Sequence, residues 1–167
     1  NEIGKFAADY GQKIRVEVHG EETQELPNMK AIMDVANNKN VYTCWNCNDQ
    51  DLIGGGLEYN FNLVKDRQGD TVHVRELNIG EYPYQQLMNL FMKMNYDGWI
   101  LLECRTDPAD KVKALIEQHE VFDRMIKESK NKYFLAAWLE ELALFSRTFK
   151  SPDAYSLAIE KSELLIS

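Results

Sequence analysis

Four short runs with strand character, each parted from the next by a stretch of helical period, constrain what this chain can fold into more than any other feature. Ile14-Arg15-Val16-Glu17-Val18-His19-Gly20 alternates strictly, placing Ile14, Val16 and Val18 on one face and Arg15, Glu17 and His19 on the other. Val41 to Trp45, Thr71 to Arg75 and Trp99 to Glu103 read as the second, third and fourth strands. Between them, Leu26 to Asn37 carries apolar residues at helical spacing with Pro27 suited to its first turn, and Leu57 to about Asp66 follows a glycine run. A further helix opens at Glu81-Tyr82-Pro83 and carries Leu87, Leu90, Phe91 and Met94. Ile3, Phe6, Ala7 and Tyr10 close a helix ahead of Gly11, and a long helix is expected from Asp107-Pro108 to about Lys130. Strands alternating with helices across loops of modest length predict a parallel sheet with right-handed crossovers, an α/β fold of (β/α) TIM-barrel type with about four βα units. Beyond Lys130 the pattern becomes purely helical, Tyr133 to Phe149 and Pro152 to Ile166, which divides the chain into 1–130 and a helical extension, 131–167.

Composition narrows the partners. At 167 residues and 44% hydrophobic side chains the chain can bury a sizeable core. Its 27 acidic against 19 basic residues give a net charge of -8, which argues against binding a nucleic-acid backbone. No apolar run approaches the roughly 20 residues that span a bilayer, so no membrane partner is expected. Three cysteines, two of them in Cys44-Trp45-Asn46-Cys47, are too few for a disulfide framework and favour a reducing, cytoplasmic setting. Because the sequence opens on Asn1, a periplasmic location reached through a leader stays open.

In a βα barrel the functional groups sit at the carboxyl ends of the strands. Here those ends carry Glu17 and His19, then Asn46 and Asn48, then His73 and Arg75, then Glu103. Parity directs Glu17, His73 and Glu103 into one cavity. Two carboxylates and an imidazole that converge repel unless a proton or cation lies between them. An oxygen-rich set with one histidine suits Mn²⁺ or Mg²⁺, with Co²⁺ and Zn²⁺ also compatible. The plainer alternative makes Glu17 and Glu103 surface acids and His73 a satisfied core histidine. Cys44 and Cys47 have redox spacing but lie at a strand end instead of a helix start, so packing is the expected role.

Several segments together carry a resemblance: Val16-Glu17-Val18-His19-Gly20, Cys44-Trp45-Asn46-Cys47-Asn48-Asp49, Asn60-Phe61-Asn62-Leu63-Val64-Lys65, Val72-His73-Val74-Arg75-Glu76-Leu77 and Gly98-Trp99-Ile100-Leu101-Leu102-Glu103. This pattern resembles the sugar phosphate isomerase/epimerase family of the xylose-isomerase-like TIM barrel superfamily, from about Ile3 to Met125, and only its second half, strands five to eight. The resemblance implies a divalent metal held by one residue from each strand, here Glu17, Asn46, His73 and Glu103, with Asn46 standing where the family has aspartate. It implies that Glu17 and Glu103 are catalytic, moving a proton next to a carbonyl through an enediolate, and that His19, Asn48, Arg75 and Trp45 contact a sugar or sugar phosphate.

A dehydratase of inosose type is the nearest variant. A non-catalytic carbohydrate-binding or assembly module, with Asn46 marking a decayed metal site, is the rival from another class. Half a barrel exposes two strand edges, so a companion half on further sequence, another chain, or a second copy in a homo-oligomer is expected to cover them. The run Phe134, Leu135, Trp138, Leu139 is expected to pack on the domain or to seal a subunit contact.

Overall fold

The alternating runs pair with one another in chain order. In the computed structural model, which describes residues 1–149 and side chains through residue 140, β1 (Ile14–Glu17), β2 (Val41–Asn46), β3 (Gln68–Val74) and β4 (Trp99–Leu102) form one parallel sheet of order β1-β2-β3-β4. Helix α1 (Glu2–Asp9) precedes the sheet, and α2 (Leu26–Val35), α3 (Gly56–Val64) and α4 (Tyr84–Lys93) connect its strands. Helix α5 (Lys111–Phe149) follows β4. This is a partial TIM-barrel-like α/β fold.

One face of the sheet buries the core. Val18, Val41, Trp45, Val72 and Val74 pack against Leu26, Met29 and Met33 of α2, Leu57, Phe61 and Val64 of α3, and Leu87, Met88 and Phe91 of α4. The rings of Trp45, Phe61 and Phe91 run through it in series, at centroid separations of 5.6 and 5.4 Å. At the far end of α2 the Arg67 guanidinium donates to the carbonyls of Met33, Ala36, Asn38 and Val41, satisfying the helix terminus and tying it to β2.

Two elements differ from their sequence reading. Strand β3 begins at Gln68 instead of Thr71, because Thr43 pairs with Gln68 and Trp45 with Val72 across an irregularity in the ladder. The step is two residues on β2 against four on β3, an even excess, so His73 stays in phase with Asn46. Gly69 allows the close approach: a Cβ there would lie 2.9 Å from the Thr43 carbonyl oxygen. Helix α5 runs without a break through Lys130, so the expected division at 130 falls inside one helix. Phe134 and Leu139 are exposed on it while Leu135 and Trp138 are half-buried, and the expected Pro152–Ile166 segment lies outside the described residues.

Candidate functional site

The carboxyl end of the sheet positions every residue of the site through strand phase. Asn46 and His73 are direct ladder partners on β2 and β3. Glu17 pairs with Cys44 at the end of β1, and Glu103 extends the β3–β4 pairing by one residue through its amide to the Val74 carbonyl, 2.7 Å. The side chains of Glu17, His73 and Glu103 meet: each offers a ligand atom lying within 4.8 Å of the others. His73 Nδ1 is 2.8 Å from Glu17 Oε1. Burial pushes the Glu17 carboxyl up, but the hydrogen bonds from His73 and Asn46 outweigh it and hold the group below the ordinary carboxylate range.

Asn46 behaves differently from its expected role. Its amide nitrogen donates to Glu17 Oε1 at 2.7 Å and to Glu103 Oε2 at 3.1 Å, while its carbonyl oxygen accepts from Arg75 Nη2 at 3.3 Å. An amide NH₂ has no free lone pair for a cation. The donor chemistry of Glu17, His73 and Glu103 therefore fits a divalent ion, and the fourth expected ligand is turned away.

Arg75 is only 11% exposed and also engages the Cys47 carbonyl through Nε at 3.1 Å, with Nη1 3.6 Å from Glu103 Oε2. Its fork orients Asn46 and Glu103, where the sequence reading had it reaching substrate. His19 is exposed at the mouth, its Nδ1 3.5 Å from the Asn46 amide nitrogen. Asn48 is buried and donates to the carbonyls of Val18 and Asn46, holding the β1 and β2 ends together.

Trp45 requires a correction as a substrate contact. It has no exposed surface and sits among the helices, because odd positions of β2 face the core when Asn46 faces the site. Trp99, on the opposite face of β4, is 73% exposed. Cys44 and Cys47 are buried, and burial pushes the Cys47 thiol up to about 12, which suits packing and not redox work.

Two groups behind the rim escaped the sequence reading. Asp51 is fully buried; its Oδ2 accepts from the Tyr82 hydroxyl at 2.6 Å and the Asn48 amide at 3.0 Å, and its Oδ1 has no partner among the described residues. Asn48-x-x-Asp51 is a capping box on the short turn Asp49–Leu52, and that spacing was the available signal. Glu76 accepts from the Arg105 and Thr106 amides at 3.0 and 2.7 Å, fixing the loop that follows Glu103.

The four-stranded parallel sheet with acids and an imidazole at its carboxyl end is a partial TIM-barrel-like arrangement. No protein-family model and no curated protein matches the chain. Among solved structures, the apo crystal structure of the 3-keto-D-glucoside 4-epimerase YcjR from E. coli is similar, with a TM-score of 0.62 and 16% identity over 71% of this chain and 48% of that one. The chain thus spans about half the length of that protein. Likeness at this identity carries the fold and not the activity.

Proposed function

We propose that the chain carries the proton-transferring rim of a sugar or sugar-phosphate isomerase/epimerase. The observation that carries this reading is the convergence of Glu17, His73 and Glu103 at the carboxyl end of a parallel sheet whose fold is shared with a sugar epimerase. A general base must be ionised before it can act, and Glu17, held below the ordinary range by His73 and Asn46, meets that condition. Glu103, 46% exposed and beside Arg75, is the second carboxyl group and would return a proton when it enters the reaction in its acid form. Return to the neighbouring carbon isomerises, and return to the opposite face epimerises. A divalent cation, Mn²⁺, Mg²⁺, Co²⁺ or Zn²⁺, would be held by Glu17, His73 and Glu103 and would supply positive charge where the enolic oxygen becomes anionic. On this reading His19, exposed at the open mouth, would contact substrate hydroxyls. A companion half, another chain or a second copy would cover the free edges of β1 and β4 and the exposed Trp99.

The test is deuterium uptake from D₂O at the carbon next to the carbonyl of a ketose and aldose panel, with and without phosphate. Uptake is expected, falling about 10²- to 10⁴-fold in Glu17→Gln. Loss of a hydroxyl from the labelled sugar would assign the dehydratase variant. Absence of exchange across the panel would sink the proposal in favour of a carbohydrate-binding or assembly module.

A further inference from the structure

We propose that Asn46, latched by Arg75, is a displaceable plug in the cation position, so that the chain takes up a divalent ion only by expelling its own amide. This rests on reading Glu17, His73 and Glu103 as a cation site. The Asn46 nitrogen lies 2.7 Å from a Glu17 oxygen and 3.1 Å from a Glu103 oxygen. An ion joining those carboxylates needs contacts of about 2.0–2.6 Å to each, so ion and amide compete for one volume.

The amide cannot resolve the conflict by flipping. Arg75 Nη2 is a donor and requires an oxygen in front of it, and the two carboxylates are acceptors and require hydrogens. Both neighbours select the same orientation. A half-turn would set NH₂ against a guanidinium and a carbonyl dipole against two negative charges. Arg75 is itself restrained: Nε is bonded to the Cys47 carbonyl, Nη1 faces Glu103, and the side chain is nearly buried. An aspartate at this position would instead accept from Arg75 through one oxygen and offer the other to the ion. Entry of a cation therefore breaks charge-assisted hydrogen bonds that an aspartate would never form. The ion becomes an exchangeable ligand instead of a resident one.

Mn²⁺ alone, titrated calorimetrically into the full chain, decides the matter by the sign of one substitution. Asn46→Ala removes the plug without adding a ligand and is expected to tighten Mn²⁺ binding about 10-fold; a carbonyl ligand at Asn46 would make the same change weaken binding, which overturns the proposal. Arg75→Lys keeps the charge but loses the fork, and tightening of about 3-fold is expected. Asn46→Asp should bind at least about 100-fold more tightly than the natural chain. Equal binding by the natural chain and Asn46→Ala, abolished by Glu17→Gln, would overturn the plug alone. Failure of the natural chain, Asn46→Ala and Asn46→Asp alike to bind would overturn both the plug and the cation site.

Discussion

Facing its helices the sheet is dry, with Val18, Trp45 and Val72 wholly removed from solvent, while on the other face Glu17, His73 and Glu103 keep contact with water around a buried Asn46. Both faces come from the same strands and the same backbone bonds. What differs is the job of the side chains. The helix face contributes apolar burial, which stabilises in proportion to area and tolerates no voids. The open face contributes charges and donors that hold one another, and its outermost strand leaves Trp99 and Leu101 uncovered. Stability and chemistry are therefore separable by parity, one residue apart along each strand.

The sharpest way to break that separation is Trp45→Ala. A cavity among Phe61 and the α3 and α4 side chains should cost about 3–5 kcal/mol in urea unfolding. Glu17, on the adjoining strand and the other face, should lose less than about 1 kcal/mol as Gln. A Trp45→Ala cost below that of Glu17→Gln would end the distinction.

Asp51 tests the boundary between the two regions, since it is a polar group inside the dry one. Burial, against the hydrogen bonds from Tyr82 and the Asn48 amide, pushes its carboxyl up to about 7. The folded chain then keeps a proton that the unfolded chain releases above about 4, so Asp51 makes stability fall as pH rises from about 4 to about 7 and adds no slope beyond. Asp51→Asn removes that fall. Its stability relative to the natural chain should climb across the window by up to about 4 kcal/mol, roughly three pKa units at about 1.4 kcal/mol each, read from unfolding midpoints at pH 4.5, 6 and 8. A difference that is flat with pH would show that Asp51 is ionised and solvated.

The strand ends were legible because period-2 alternation survives any tertiary context that buries one face, so Ile14-x-Val16-x-Val18 fixed the direction of Glu17 before any fold was known. The orientation of Asn46 was not legible. It depends on Arg75, which lies 29 positions away and adjoins it only because β2 and β3 pair. Trp45 was misread for a related reason: its residue type suits either face, and only the phase of Asn46 settles which one it occupies. The division of α5 at Lys130 had no breaker behind it: both flanking stretches read as helix, and Asn131 and Lys132 between them include neither proline nor glycine to stop one. The added residues at Gly69 and Asp70 broke the alternation where β3 actually starts.

The smallest effect belongs to the ion cluster at the opposite end of the open face. Asp70 meets Arg15 and, at 3.1 Å, Lys13; the Arg15 guanidinium outweighs partial burial and, with Lys13, holds the Asp70 carboxyl below the usual range. A depressed carboxyl stabilises above its unfolded value near 4, and that contribution is lost as pH falls further. Water screens the cluster, since more than a third of the Asp70 side chain is exposed. Asp70→Asn should therefore cost about 0.5–1 kcal/mol at pH 7 and low salt, and less in about 1 M salt, by urea midpoint. A loss above about 2 kcal/mol that salt leaves unchanged would mean that charges on the open face hold the sheet together, and parity would no longer divide stability from chemistry.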